Sequence, residues 1–183
     1  MKRGRRPPRG RKIKPVLYVF CEGETEEAYV NLLKSYFRIP SLIIHSKIAG
    51  NNIHSSKIKN YKQGRPTHEK DQDFLLYDLD VPHIAKHLKS LENVTLLVSN
   101  PCIEFWFLLH EKDQQSPVNT QFCCDEVFKR NKIYQKGKLN EKLKVKLIEK
   151  MPKAVKRAKA LETYQNPSST IYRLIDLLQS LNA

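Results

Sequence analysis

The sequence predicts an α/β fold: a mostly parallel four-stranded sheet flanked by helices, with an added helical region at the C-terminal end. Short apolar runs alternate with stretches of helical periodicity up to about residue 120, which favours a parallel sheet wrapped by helices. From residue 121 onward the spacing is helical throughout, with breaks near Gly137, Pro152 and residues 166–167. With 183 residues, 40% of them hydrophobic, the chain can bury a core without a disulfide framework.

Four apolar runs are expected to form the strands, and they cover residues 16–20, 42–44, 74–77 and 94–98. The first run is continuous rather than alternating, which is typical of a strand covered on both faces. The order of elements along the chain therefore predicts strand–helix–strand units, followed by helices alone.

A helix is expected after each strand. The first should run to Phe37, because Glu24 or Thr25 can cap it and the apolar residues that follow recur at helical spacing. The others are predicted at residues 55–61, at 82–91 with Pro82 in the first turn, and at 103–110 with Asn100 and Pro101 as cap and first residue. We expect three regions: a basic disordered tail over 1–15, a core over 16–120, and a helical extension with a basic arm, packed on the core, over 121–183.

The net charge of +14 is concentrated in two places. Residues 1–15 carry eight Lys or Arg and no acid, and residues 129–159 carry thirteen basic residues against two Glu, so the rest of the chain has a net charge of −5. An acidic body with a basic tail and arm suits a protein that holds phosphates at its periphery and divalent cations at its centre. A solvated face with a disordered tail explains the same charges equally well, and association with RNA or the ribosome through the tail is a third interpretation.

Two groups of basic residues are candidates for nucleic-acid binding. Those in the tail are Arg3, Arg5, Arg6 and Arg9, and those in the arm are Lys142, Lys146, Lys150 and Lys153. The arm lysines recur at spacings of three and four, with Leu139, Leu143 and Leu147 on another face. This pattern predicts an amphipathic helix that docks by its leucines and presents its lysines outward, either to nucleic acid or simply to solvent.

Several classes of protein are disfavoured by what the sequence contains. The four cysteines form no CxxC pair, so buried reduced thiols are expected rather than a zinc site or a disulfide framework. No apolar run approaches the roughly 20 residues of a membrane span, and the basic start is not followed by the apolar segment of a secretory signal. We therefore expect a cytoplasmic protein that does not bind membranes. The chain also lacks a GxxxxGK[ST] loop, so any ATP hydrolysis is expected to belong to another subunit.

Carboxylates follow three of the predicted strands. Glu22 ends the first, Asp78 and Asp80 end the third, and Glu104 follows the fourth. Because ligands of open parallel sheets bind beyond the carboxyl ends of the strands, these side chains are candidates for a divalent-cation site that serves phosphoryl-transfer chemistry. The first helical turn adds Glu26. For Glu26 and Glu104, capping of a helix N-terminus is nearly as good an explanation.

Four segments together resemble the RloB-like proteins, a branch of the Toprim superfamily. YVFCEGETEEAYVNLL is similar to the opening Glu-Gly-x-Thr-Glu motif, and YDLDVP resembles the Asp-x-Asp element. SNPCIEFWFLLH is similar to the Ser-Asn-Pro-x-x-Glu-x-Trp-x-x-x-His block, and NPSSTIYRLIDLL resembles the closing helix. The segments occur in the family's order and span most of residues 16–181.

The resemblance implies a Toprim-like (Rossmann-like) fold and a nuclease that depends on Mg²⁺, or on Mn²⁺ in its place. It implies catalytic roles for Glu22, Asp78 and Asp80, with Glu26 as a further metal ligand, as in the related OLD-type nucleases. It also implies a role in prokaryotic antiphage defence of the abortive-infection type, alongside an ATPase partner. The substrate is expected to be DNA or RNA. The alternative is a non-catalytic nucleic-acid or ribonucleoprotein binding module whose metal site is vestigial or structural.

Overall fold

The computed structural model describes residues 13–182 and contains one five-stranded sheet with helices on both faces. The strands are β1 (Val16–Cys21), β2 (Ile43–Ile48), β3 (Gln72–Asp78), β4 (Thr95–Asn100) and β5 (Ser168–Ser169). The helices are α1 (Glu24–Phe37), α2 (Ser55–Lys62), α3 (Pro82–Lys89), α4 (Ile103–Glu111), α5 (Thr120–Arg130), α6 (Glu141–Glu149), α7 (Met151–Lys159) and α8 (Tyr172–Asn182). Within the described part of the chain, no helix combines the length and the apolar composition that crossing a bilayer requires.

The strand order is β2-β1-β3-β4-β5, and β2, β1, β3 and β4 run parallel to one another. Cys21 at the end of β1 pairs with Leu76 of β3, and Asp78 at the end of β3 pairs with Ser99 of β4. The carboxyl ends of β1, β3 and β4 therefore lie side by side at one edge of the sheet. This register is what positions the candidate site.

The prediction of four strands, with only helices after the fourth, is wrong because β5 adds a short antiparallel edge strand beside β4. It consists of two buried serines rather than an apolar run, so hydrophobic periodicity carries no signal for it. Hydrogen bonds hold it in place instead. The Thr170 amide donates to Val98 O at 2.8 Å, and the Val98 amide donates to Thr170 Oγ1 at 2.8 Å.

The two faces of the sheet bury separate cores. Alternate residues of β1 show this division: Leu17, Val19 and Cys21 pack on the face covered by α1 and α4–α8, whereas Val16, Tyr18 and Phe20 pack on the face covered by α2 and α3. β1 is therefore buried on both sides, as its continuous apolar run predicts. β2 has only one neighbouring strand and is half-exposed, which explains why its second half, Ser46–Ile48, is more polar than the predicted run.

Helix α4 is buried on all sides between the sheet and helices α5 and α7. Trp106 and His110, one turn apart, stack edge to face with ring centroids 4.9 Å apart, and both side chains are buried. His110 Nδ1 lies 2.9 Å from the Trp106 carbonyl oxygen, to which it donates. Burial lowers the pKa of His110 to about 4, with the charge of Arg157 acting in the same direction.

We expect His110 to make the fold sensitive to acid. The neutral ring is favoured in the folded state, so its contribution to stability is complete above the unfolded-state pKa of about 6.5 and is lost as the pH falls from there to about 4. The loss is about 3 kcal/mol in the free energy of unfolding. Urea unfolding of His110→Leu at pH 4 to 7 should therefore show a flatter pH dependence than the wild type. If the free energy of unfolding depends on pH equally in the variant and in the wild type, His110 does not cause the loss of stability in acid.

Candidate active site

An open cavity of about 360 Å³ lies where the carboxyl ends of β1 and β3 meet the N-termini of α1 and α4. Five carboxylates line it, and they are Glu22, Glu24, Glu26, Asp78 and Glu104. Lys136 and Gly137, from the segment between α5 and α6, form the opposite wall. The structure therefore brings together Glu22, Glu26, Asp78 and Glu104, four of the five carboxylates that the sequence nominated.

Glu22 and Asp78 are held side by side by the pairing of β1 with β3. The Glu22 amide donates to Leu76 O at 3.0 Å, which continues the strand pairing by one residue. The Asp78 amide in turn donates to Glu22 Oε2 at 2.9 Å. This second hydrogen bond fixes the Glu22 carboxylate over the end of β3, directly beside the Asp78 side chain.

Glu26 both lines the cavity and caps α1. The N-cap residue is Gly23, not Glu24 or Thr25 as predicted, because Gly23 is the last residue with extended backbone before the helix. Glu26 folds back so that its Oε2 accepts the Gly23 amide at 3.0 Å. The capping interpretation of Glu26 is therefore confirmed, and one of its carboxylate oxygens is already engaged.

Two buried carboxylate oxygens at the cavity have no hydrogen-bond partner among residues 13–182. They are Asp78 Oδ1 and Glu104 Oε2. The other oxygen of Glu104, Oε1, accepts the Tyr134 hydroxyl at 2.7 Å and lies 4.0 Å from Lys136 Nζ. A buried carboxylate oxygen without a partner is costly, so both atoms are available to a cation or a donor that enters the cavity.

Burial, reinforced by repulsion between neighbouring carboxylates, raises the pKa of Glu22, Glu26 and Asp78. For Asp78, burial is the largest cause, and the charges of Glu26, Glu22 and Glu104 add to it, so its pKa is well above the usual range. Burial also raises the pKa of Glu22, against the opposing effect of the Asp78 amide, and burial raises that of Glu26. Ionising all of these groups is therefore unfavourable until positive charge enters the site.

The turn that carries Lys136 packs tightly on the start of α1. Its glycine, Gly137, has φ +81°, a backbone conformation that favours glycine, and a Cβ at that position would lie 2.6 Å from Glu24 Oε2, so the Glu24 side chain would have to shift. The Gly137 amide donates to Thr25 Oγ1 at 2.8 Å. These contacts place Lys136 at the cavity. Burial alone would lower the pKa of its ammonium group, but Glu104, Asp78 and the neighbouring negative groups together outweigh burial and raise the pKa.

The sequence patterns do not single out Lys136. It is one of thirteen basic residues in the arm, and its neighbour Gly137 contacts the start of α1 across more than a hundred residues of chain. The signal that could have found it is the Lys136-Gly137 pair, since an isolated glycine within a helical region marks a turn.

Asp80 lies outside the cavity lining and is exposed. Leu79, between the two aspartates, is buried, and its amide donates to Ser99 O at 2.9 Å. Strand β3 ends at Asp78, and Leu79 is held against the end of β4, so Asp80 does not continue the strand into the cavity. Asp80 still acts on the site through its charge, which raises the pKa of Glu22.

The donor set fits a hard divalent cation. Among residues 13–182, no group of three or more His, Cys, Asp or Glu side chains is arranged to hold a metal ion. Mg²⁺, however, is usually bound through one or two carboxylates and keeps several waters. Glu22 and Asp78 provide such a pair, and the unpartnered Asp78 Oδ1 provides a free ligand atom.

The predicted basic arm forms α6 and α7. Leu139, Leu143 and Leu147 are buried as predicted, and Lys142 and Lys153 are exposed. Lys146 and Lys150 do not point freely outward: both pair with Glu111 at the end of α4, Lys146 at 3.0 Å. The four arginines of the tail, Arg3, Arg5, Arg6 and Arg9, lie outside the described residues.

Fold and cavity together define an α/β protein with a carboxylate-lined site at the carboxyl edge of a parallel sheet. The family model described as RloB-like protein matches residues 17–178, most of the chain. The chain therefore belongs to the RloB-like family, which confirms the resemblance of its motifs. No curated protein and no solved structure matches it.

Proposed function

We propose that the chain is a cytoplasmic, Mg²⁺-dependent endonuclease of the Toprim type that hydrolyses phosphodiester bonds of DNA or RNA. The observation that carries the proposal is the cavity in which Glu22 and Asp78 lie side by side, with a buried oxygen of Asp78 unpartnered and Lys136 opposite. Membership of the RloB-like family supports it. Prokaryotic antiphage defence by abortive infection is the biological role that we propose with it.

Glu22 and Asp78 would hold the ion directly, and Glu26 and Glu104, which line the same cavity, would act on it through their charge. Mg²⁺, or Mn²⁺ with its similar preference for oxygen ligands, would polarise the phosphate and lower the pKa of a bound water. Asp80, although predicted to be catalytic, lies outside the cavity and would contribute through its charge.

The side chains that line the cavity would accept the proton of the attacking water and stabilise the charge on the phosphate. Glu22 Oε2 is engaged by the Asp78 amide, so Oε1 is the oxygen that would accept the proton of the attacking water. The ammonium group of Lys136 would stabilise the negative charge that develops on the phosphate oxygens. Glu26, fixed by the Gly23 amide, keeps the first turn of α1 against the cavity.

The basic tail and arm would bind nucleic acid through its phosphates. Lys142 and Lys153 are exposed and suited to this task, whereas Lys146 and Lys150 also neutralise Glu111. We propose the same role for Arg3, Arg5, Arg6 and Arg9. Contacts of this kind add affinity without selecting sequence.

We also propose that an ATPase partner controls the nuclease. A nuclease with an open acidic site would damage its own cell if it were always active, and the chain contains no phosphate-binding loop for ATP. The isolated chain is therefore expected to be weakly active at physiological Mg²⁺.

A binding module without catalysis is the second candidate. It is favoured by the position of Asp80 outside the cavity and by the lack, among the residues described, of a group of three metal-binding side chains. In that case the carboxylates would serve a structural or vestigial metal site.

Metal dependence of turnover separates the two candidates. The protein, purified from host extract together with its bound partners, is incubated with labelled DNA and RNA in Mg²⁺, Mn²⁺ or EDTA. We expect cleavage with either metal and none in EDTA. Binding that EDTA leaves unchanged, with no cleavage under any condition, would instead identify a binding module.

A further inference from the structure

A second cavity adjoins the candidate active site on the far side of the turn at residues 135–138. It is open to solvent, has a volume of about 650 Å³, and lies between α1 and the segment that leads into α6. This volume is within the range of pockets that bind small ligands.

The two cavities share the same two walls. The first turn of α1, with Glu24 and Glu26, lines the acidic cavity, and Ala28, one helical turn or about 5.4 Å further along, lines the second one. On the opposite wall, Lys136 and Gly137 line the acidic cavity, whereas their neighbours Gln135 and Lys138 line the second. The two cavities therefore neighbour each other along α1, so a polynucleotide strand that extends from the acidic cavity along this helix would reach the second one.

The chemistry of the second cavity is the opposite of that of the first. Ala28, Leu32 and Leu139 give it an apolar floor, and no carboxylate from residues 13–182 lines it. Two amides, Asn31 and Gln135, are exposed at its rim. Lys138 and Lys144 add positive charge, although Lys144 also pairs at 2.7 Å with the exposed Glu141. The apolar floor suits the flat face of a base, the amides suit its polar edge, and the lysines suit the phosphate of the same nucleotide.

We infer that the second cavity binds the nucleotide that flanks the scissile phosphate, with its base unstacked. The base would lie on the apolar floor with its edge towards Asn31 and Gln135, and its phosphate would contact Lys138 and Lys144. This inference rests on the proposed function and deepens it. A base within a duplex has both faces stacked and cannot enter a pocket, so the substrate is single-stranded or carries an extruded nucleotide.

Binding in EDTA tests the inference without any cleavage. The full chain is titrated, by fluorescence anisotropy at 150 mM salt, against labelled single strands of RNA and DNA and against the matching duplexes. We expect at least one type of single strand to bind about tenfold more tightly than its duplex. We also expect removal of one base, scanned as an abasic site along that strand, to weaken binding markedly at one position only.

Paired variants assign the effect to this cavity. Lys138→Gln combined with Lys144→Gln should weaken single-strand binding about tenfold. The control, Lys34→Gln combined with Lys86→Gln, removes the same charge from exposed positions on α1 and α3 that do not line the cavity, and should weaken it much less. Asn31→Glu should weaken single-strand binding strongly because the substitution places a carboxylate in the lining. Asn31→Gln keeps an uncharged amide there and should bind single strands like the wild type.

The outcomes separate this inference from the proposed function. Duplexes that bind as tightly as both kinds of single strand, or cavity variants that behave like the control pair, would overturn the inference even if metal-dependent cleavage is observed. Selective loss of single-strand binding in the cavity variants would support the inference even if no cleavage is found under any metal condition, in which case the proposed function would fail alone.

Discussion

Replacing Asp78 with Asn is expected to abolish metal-dependent cleavage and, at the same time, to stabilise the metal-free protein. Asp78 supplies the unpartnered oxygen at the proposed metal site, so we expect kcat to fall by at least about 1,000-fold, or roughly 4 kcal/mol in activation free energy. Its raised pKa means that the ionised carboxylate opposes folding at neutral pH, since it is buried beside Glu22, Glu26 and Glu104. An uncharged isostere should raise the free energy of unfolding by about 1 kcal/mol in EDTA.

Asp73→Asn is the matched control on the same strand. Asp73 lies near the opposite end of β3 and pairs with Lys62 at 2.9 Å. Its substitution should therefore lower the melting temperature slightly and leave cleavage intact. If Asp78→Asn cleaves like the wild type, the site is wrong. If it instead lowers the melting temperature in EDTA, Asp78 has a structural role.

Lys136→Gln is expected to reduce kcat by about 100-fold, the magnitude typical of removing one donor that stabilises a developing oxyanion. KM should change little, because one phosphate contact of many is lost from the ground state. Steady-state kinetics on a single cleavable oligonucleotide, with the partner present, measure this split between kcat and KM. Lys136→Arg keeps the positive charge and should recover part of the rate.

Lys132→Gln is the control for Lys136. Both lysines are exposed and lie in the same segment, but Lys132 does not line the acidic cavity. Equal losses of kcat in the two variants would show that general positive charge, rather than the position of Lys136, matters. A change confined to KM in Lys136→Gln would assign it to substrate binding alone.

The central strands, and the carboxylates Glu22 and Asp78 at the ends of β1 and β3, could be predicted from the sequence. β1, β3 and β4 are buried, and their apolar runs report that burial directly. Because parallel strands end at a common edge, the positions of Glu22 and Asp78 follow from the runs that precede them. The family motifs reinforce the same two residues.

The rest of the site depends on contacts between distant parts of the chain. Periodicity does not show that the turn at Gly137 packs on Thr25, and so the place of Lys136 is hidden among other lysines. Spacing alone also does not show that Asp78 faces the cavity and Asp80 does not, since the chain leaves the strand between them. β5 escapes prediction because hydrogen bonds of Ser and Thr, not apolar side chains, hold it to β4.

A crystal of the protein soaked in Mn²⁺ shows whether Glu22 and Asp78 bind a divalent cation, because the anomalous signal of Mn²⁺ locates the ion independently of any activity. We expect a peak in the acidic cavity within bonding distance of Glu22 and Asp78, and loss of that peak in crystals of Asp78→Asn. A cavity without a peak at Mn²⁺ concentrations that support cleavage, or a peak elsewhere on the protein alone, would show that this cavity is not the metal site.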